Sequence, residues 1–579
     1  MTRLLERVHT LSELRALPDE ALPALCAELR EEIVRICGKV GGHLGASLGA
    51  VELIVALHRV FKSPRDRIVF DVGHQAYAHK ILTGRRERMD TLRQEGGVAP
   101  FLDPEESPHD AFGAGHACTA VSIALGMLEA KAGLGEDGHV VAAIGDGSLT
   151  GGLTFEALDN AATARAPLVI VLNDNQMSIS RNVGAVSRLL GGPEARGFFE
   201  ALGFSYLGPI DGHDLSALIA AFRETRRTYR PIVVHARTEK GKGFPEAEAD
   251  PHTRGHAMGP YEWRDGKLVR SRHGHRTFSE TFALALEEAM ARDPRVVAVT
   301  PAMIEGSALA AIRARFPDRL YDVGIAEQHA VAFSAGLAAG GMRPVCAIYS
   351  TFLQRAIDQL IHDVCLPRTP VVLAVDRAGL VGADGATHQG AFDVAFLRAI
   401  PHLTVMAPVV GEDVAPLLEA GLALPGPSAI RFPRLTVPEV PLDFPTAFAS
   451  VSGARWLKRA DEPELGIIAL GHPALAALQA ARGRPGWSVL DLRYASPIDR
   501  GAVLEAARAG RIVTVEEGVV RGGIGSAVLE ILAEAGLAAR VRTLGLPHAF
   551  VRHGDARVQR VKLGLDAEGI RAAAEALLG

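Results

Sequence analysis

The sequence predicts an α/β protein made of three doubly wound domains with mainly parallel sheets. Three observations carry this expectation. Short apolar, β-branched runs alternate with alanine-rich stretches along the whole chain, the pattern of strands buried on both faces by helices. The 579 residues exceed what a single hydrophobic core sustains. A polar, charge-mixed stretch at 263–275 and a proline-rich one at 438–445 break the chain into three blocks.

In the first block, residues 140–144 read as a strand, 153–164 as a helix and 168–172 as the next strand, one β-α-β unit. The second block carries strands at 296–300, 345–349, 371–376 and 403–407, with a helix at 327–339. The third has strands at 466–469, 488–492 and 511–516. The expected domains are therefore 1–270, 276–437 and 446–579. No short period repeats, which argues against a solenoid or propeller.

Bulk composition narrows the function class. Hydrophobic content of 48% and charged content of 22% suit a soluble globular enzyme. The 62 basic and 67 acidic residues leave a net charge of −5, with no electrostatic footprint for nucleic acid or a membrane surface, so small-molecule substrates are expected. Five cysteines, an odd number without a C-x-x-C pair, argue against a disulfide framework or a zinc site and suit a reducing compartment. The first ten residues lack the apolar core of a signal peptide and no long uncharged apolar run follows, so a soluble, unprocessed cytoplasmic protein is expected.

The chemistry concentrates where strands end. Gly145-Asp146-Gly147 follows a buried strand, and Asn175 closes the next strand 29 residues after Asp146. Neighbouring parallel strands end side by side, so a carboxylate and an amide oxygen are offered to one hard cation such as magnesium. The glycines allow close backbone approach to a diphosphate, and the helix start after Thr150 adds favourable potential. Alone, Gly-Asp-Gly is more often an ordinary strand-to-helix turn.

Its neighbours decide otherwise. Together with Asn173-Asp174-Asn175, the motif resembles the thiamine-diphosphate enzymes. Gly41-Gly-His-Leu-Gly45, Asp71-Val-Gly-His-Gln-Ala-Tyr77 followed by His79-Lys-Ile-Leu-Thr-Gly84, and Asp322-Val-Gly-Ile-Ala-Glu-Gln-His329 resemble the 1-deoxy-D-xylulose-5-phosphate synthase family of transketolase-like fold. Pro209-Ile-Asp-Gly-His213, Thr300-Pro-Ala-Met303 and Asp384-Gly-Ala-Thr-His388 agree, and the matches run from about residue 35 to residue 553.

The resemblance implies thiamine diphosphate and Mg2+ as cofactors. It implies a cofactor-binding set of His74, Gly115, His116, Gly145, Asp146, Gly147, Ser148, Asn175, Lys242, Glu327 and Phe352, with Asp146, Asn175 and Met177 on the metal. Glu327, otherwise read as a helix N-terminal carboxylate, takes the position that hydrogen-bonds the aminopyrimidine ring. His43, His74 and His388 are the further catalytic candidates. His43, His256, Tyr349, Arg377, Asp384, His388 and Arg434 form the substrate set, the two arginines suiting the acceptor's phosphate. His256 is favoured over His252 in a segment whose spacing departs from the family.

The implied reaction condenses pyruvate with D-glyceraldehyde 3-phosphate, with decarboxylation, in a homodimer. Transketolase is the nearest alternative, and a catalytically silent thiamine-diphosphate-binding scaffold the remote one. Two departures stand out: Gly115-His-Ala-Cys-Thr-Ala120 has fewer hydroxyls than the family pattern, and Gly191-Gly192 joins segments that relatives connect by a longer stretch. A natural deletion and an engineered truncation of that loop would both give this arrangement, and the glycine pair favours the engineered linker.

Overall fold

Helices flank parallel strands throughout the computed structural model, which describes residues 3–164, 167–264, 267–270, 274–439 and 453–579. The chain divides into two compact units: Met1–Arg272 with Gly324–Ala326, and His273–Val323 with Glu327–Gly579.

The first unit holds a sheet of β1 (Arg67–Phe70), β2 (Val140–Gly145), β3 (Val169–Asp174), β4 (Ser205–Asp211) and β5 (Ile232–Arg237), ordered β1-β2-β3-β5-β4 and parallel throughout. Period-two alternation splits its side chains between two cores. Val141, Ala143, Val169 and Val171 face the N-terminal helices, including Leu22–Val40 and Val51–Val60. Val140, Ala142, Ile144, Ile170 and Leu172 face the opposite way, with helix Ala120–Leu134. A short antiparallel hairpin, β6 (Tyr261–Arg264) and β7 (Lys267–Arg270), follows.

The second unit carries two sheets. One is built from β8 (Val296–Thr300), β9 (Leu320–Asp322), β10 (Arg343–Tyr349), β11 (Val372–Asp376), β12 (Thr404–Met406) and β13 (Ser428–Arg431). The other contains β14 (Arg455–Lys458), β15 (Leu465–Ala469), β16 (Trp487–Asp491), β18 (Arg511–Val519) and β19 (Arg540–Leu546). Between β16 and β18, β17 (Tyr494–Ser496) leaves its own block and pairs antiparallel with β12, giving the order β17-β12-β13-β11-β10-β8-β9.

A common core explains why these two blocks make one unit. Cys346, Ile348, Leu373 and Val375 of the first sheet cluster with Ile468, Leu490 and Ile512 of the second. The anticipated β-α-β order holds in each block, with strand ends shifted by up to three residues. The proline-rich stretch expected as a linker falls, from residue 440 on, outside the described residues. Helices start where their caps allow: Thr277 and Glu280 form a reciprocal capping box that opens helix Phe278–Arg292.

Glu516 on β18 is buried, and its Oε1 accepts the Gly525 N–H at 3.2 Å while Oε2 has no hydrogen-bond partner. Burial, partly offset by the Gly525 and Ile524 N–H groups, pushes its carboxyl up to about 7. The folded state therefore favours the protonated acid. That contribution is complete below the ordinary carboxylate range and is lost as pH rises through about 7. Glu516→Gln is expected to gain stability over wild type as pH climbs from about 5 to about 8. Denaturant unfolding at the two pH values checks this; a difference independent of pH counts against it.

Candidate active site

Charged and polar groups gather at the carboxyl ends of the parallel strands, where buried sheets open to ligands. In the first unit, Asp71 follows β1, Asp146 follows β2, Asp174 and Asn175 end β3, and Lys240 lies three residues past β5. Asp71 is fully buried, and its carboxylate accepts the N–H groups of Cys118, Thr119 and Ala120 at 2.8–3.0 Å. The Ser148 hydroxyl donates to the same carboxylate. One side chain thus ties the Gly115–His116 loop and the Gly147–Ser148 turn to the end of β1.

Asp146 is buried; its Oδ2 accepts from Asn182 Nδ2 at 2.8 Å, while its Oδ1 has no hydrogen-bond partner. Burial, reinforced by the neighbouring Asp174 carboxylate, raises its affinity for a proton well above the usual range. A cation placed there relieves both effects. Among the described residues no three His, Cys, Asp or Glu side chains are grouped to hold a metal, so the donors on offer are carboxylate, amide and carbonyl oxygens, those a hard cation takes. Asn175 Oδ1 accepts the Met177 N–H at 3.0 Å, which folds the turn back towards β3. A Cβ on Gly147 meets Ser178 Cβ at 3.0 Å, so glycine keeps the cradle open. The unpartnered Asp146 oxygen and the cradle that Gly147 keeps open fit a diphosphate with a hard cation at this strand end.

Three histidines converge beside it. Ring centroids lie 6.1 Å apart for His43 and His74, 5.6 Å for His43 and His256, and 5.4 Å for His74 and His256. The Tyr77 hydroxyl accepts the His43 N–H at 3.0 Å, and the Ser47 hydroxyl donates to the His74 carbonyl at 3.0 Å. The Nδ1 atoms of His74 and His256 are buried without a hydrogen-bond partner. Desolvation, then the Lys240 charge, lowers His74 to about 3, and the same causes hold His256 well below its ordinary value. Both rings are therefore neutral at neutral pH. His252 of the same segment is exposed, whereas His256 meets the other two histidines.

Lys242 is half-buried and sits 3.9 Å from Glu239, whereas Lys240 is buried and donates to the carbonyls of Ser178 at 2.6 Å and Ile179 at 3.2 Å. Burial lowers the Lys240 ammonium to about 7, countered by Asp146 and Asp250. Two lysines flank Gly241, and only the tertiary fold distinguishes them. His116 and Gly115 lie on the loop that Asp71 pins.

The second unit assembles the remaining residues. Glu327 opens helix Glu327–Ala339, is buried, and lies 3.5 Å from Arg355, a partner no motif indicated. Burial raises its carboxyl despite that arginine. Tyr349 at the end of β10 is buried, stacks on Phe352 with centroids 5.4 Å apart, and carries the Arg377 guanidinium 4.0 Å above its ring. Phe352 meets His388 edge-on at 5.6 Å. Arg377 adopts φ of 59°, a left-handed conformation a side chain accepts only under constraint, with its N–H donating to Asp376 at 2.7 Å. Arg434 pairs with Asp384 at 3.0 Å. Both arginines act on the buried Tyr349 hydroxyl and on Asp376, so two guanidinium groups share one neighbourhood.

Known proteins can now be set beside this geometry. The family model of 1-deoxy-D-xylulose-5-phosphate synthase matches residues 5–196 and 193–238; the transketolase pyrimidine-binding domain matches 275–439 and the transketolase C-terminal domain 454–570. A 1-deoxy-D-xylulose-5-phosphate synthase of Myxococcus xanthus is 69% identical over 578 residues, covering 100% of this chain and 99% of the relative. The chain belongs to the 1-deoxy-D-xylulose-5-phosphate synthase family. A protein of that name from Anaeromyxobacter sp. strain Fw109-5 is 50% identical over 628 residues, with 100% and 99% of the two chains covered. Transketolase from Leishmania mexicana, a solved structure, is 18% identical, covers 96% of this chain and 97% of its own, and has a TM-score of 0.47.

The comparisons also correct the expectation of an engineered truncation. The Myxococcus relative is as short as this chain, and the break in the N-terminal family match at 193–196 falls at the short connection. Nor is the glycine pair a flexible tether. Gly191 ends helix Gly184–Gly191, Gly192 is extended, and helix Ala195–Ala201 follows, while Arg237 donates to the carbonyls of Leu190 at 3.3 Å and Gly191 at 3.1 Å.

A carboxyl whose proton affinity is raised by burial at a helix start is the feature of Glu327 most open to test. Glu327→Ala is expected to lower turnover at least about a hundredfold, the usual cost of losing a proton-transfer partner. Steady-state kinetics with saturating cofactor check this, and near-wild-type turnover removes Glu327 from the mechanism.

Proposed function

We propose that this chain is a thiamine-diphosphate-dependent transferase that condenses pyruvate with D-glyceraldehyde 3-phosphate, releasing carbon dioxide and forming 1-deoxy-D-xylulose 5-phosphate. This is the first step of the non-mevalonate route to isoprenoid precursors and also feeds thiamine synthesis. One observation carries the reading: relatives of that name match the chain end to end, the first at 69% identity. When bound, thiamine diphosphate supplies the electron sink for decarboxylation and carbon–carbon bond formation.

The protein's own groups do the rest. Asp146, Asn175 and the Met177 carbonyl hold Mg2+, and the glycine turn with Ser148 takes the diphosphate. Glu327, its carboxyl raised by burial, hydrogen-bonds the aminopyrimidine ring. Neutral His74 and His256, with His43 beside them, offer ring N–H donors to the carboxylate and hydroxyl oxygens of the substrates. Arg377 and Arg434 take the phosphate of the acceptor through paired N–H groups, with Asp384 orienting Arg434. His388, braced by the Thr387 hydroxyl at 2.9 Å and by Phe352, lies beside them as a further donor.

Segments 1–270, 276–437 and 446–579 act as the diphosphate, aminopyrimidine and C-terminal domains in this reading. The active form is a homodimer in the reducing cytosol. The five cysteines are buried and none is in a disulfide, which suits that compartment. No helix among the described residues is long and apolar enough to cross a membrane. Transketolase chemistry is not favoured, because the N-terminal match is to the synthase family.

Carbon dioxide release from labelled pyruvate is expected to rise on adding D-glyceraldehyde 3-phosphate, with 1-deoxy-D-xylulose 5-phosphate as product. Two-carbon transfer between sugar phosphates without carbon dioxide release rejects the reading. Arg377→Ala is expected to raise KM for D-glyceraldehyde 3-phosphate about tenfold or more while leaving KM for pyruvate within about twofold, since a charged hydrogen bond is worth about 1.5–3 kcal/mol. Equal effects on both substrates count against a phosphate role.

A further inference from the structure

Behind Asp146 runs a chain of buried polar groups that none of the roles above uses. The Tyr206 hydroxyl lies 2.7 Å from His235 Nδ1, and His235 Nε2 lies 2.8 Å from Asp174 Oδ2. His235 is wholly buried, Asp174 and Tyr206 nearly so. The three side chains come from adjacent strands, β4, β5 and β3. Pairing of Tyr206 with Val233 and of His235 with Leu172 sets them on one face of the sheet.

Each bond has one economical assignment. The tyrosine hydroxyl donates to Nδ1, and Nε2–H donates to the carboxylate, so both ring nitrogens are engaged and the ring is held in one orientation. Asp174 turns its other oxygen to the Gln176 N–H at 3.2 Å. Gln176 has φ of 59°, a left-handed conformation that needs holding in place. It sits between Asn175 and Met177, the two metal ligands contributed by that turn.

We propose that Tyr206 and His235 are positioning residues for the metal: they fix Asp174, which in turn holds the Asn175–Gln176–Met177 turn in its ligating shape. The proposal rests on the metal reading given above. Tyr206 is itself braced, stacked on Phe199 with centroids 5.8 Å apart and covered by the Arg196 guanidinium 5.0 Å from its ring. Both bracing residues belong to helix Ala195–Ala201, which directly follows the short Gly191–Gly192 connection. In this chain the shortened segment therefore buttresses the outer shell of the metal site.

The test is calorimetric titration of Mg2+ into the full-length protein with saturating thiamine diphosphate. His235→Ala is expected to weaken Mg2+ binding about 10–100-fold, the range for losing an outer-shell partner, while His235→Gln, whose amide N–H replaces Nε2–H, stays within about threefold of wild type. Tyr206→Phe keeps the ring packing and is expected to weaken Mg2+ binding about threefold or more; it carries the test if His235→Ala does not fold. A purely structural role lowers the melting temperature of the metal-free protein and leaves the Mg2+ dissociation constant unchanged in Tyr206→Phe, and that result overturns the proposal. His235→Gln binding as weakly as His235→Ala overturns it too. Asp146→Ala separates the two ideas: retained Mg2+ binding there refutes the metal reading itself, whereas lost binding there beside unaffected relay variants refutes only the relay.

Discussion

Burial of parallel strands on both faces is the constraint from which the rest of this structure follows. With helices covering each side, interior strand positions are mostly apolar, and residues such as Val141, Ile170 and Val234 have no exposed surface at all. Polar chemistry is displaced to the carboxyl ends of the strands, where backbone ladders stop and N–H groups become free to bind. Charges there are only partly solvated, so each needs a partner. Asp71 finds three backbone N–H groups, Asp174 finds His235, and Asp146 keeps an oxygen without one. That unevenness separates groups that hold the fold from groups that await a ligand.

The second unit applies the same constraint to two sheets and connects them with ions. Arg431 at the end of β13 makes a bidentate pair with Asp393 at 3.0 and 3.2 Å and donates to the Glu517 carbonyl on β18. Glu517 is buried between His472 and Arg560, each at 2.7 Å, and accepts the Leu380 N–H at 2.7 Å. That last bond anchors the loop leading from Arg377 to Asp384. The third block thus braces the arginine-bearing loop of the second, although it carries none of the proposed substrate contacts.

Much of the candidate site was legible because short motifs at strand ends depend on local geometry. Gly145-Asp146-Gly147 and Asn175 needed only the order strand, turn, helix, strand to be placed together, and Tyr349, Arg377 and Asp384 likewise sit at or just beyond strand ends. What escaped were partners distant in sequence. Arg355 beside Glu327, Asn182 on Asp146 and the Tyr206–His235 chain behind Asp174 carry no motif, because a hydrogen bond across a sheet depends on register and strand order. Lys240 was missed for a different reason: two lysines flank one glycine, and the choice depends on which is turned inwards.

Sequence alone determined the α/β class, the alternation of strands and helices, the strand-end motifs and the likeness to one enzyme family, since hydrophobic periodicity and turn residues act over a few neighbouring positions. Only the tertiary structure decided which carboxylates are paired and which are not, which histidines meet, and that the second and third blocks share one core with β17 crossing between their sheets. Those outcomes depend on packing between segments far apart in the chain, where the free energy of a buried charge is set by whatever surrounds it.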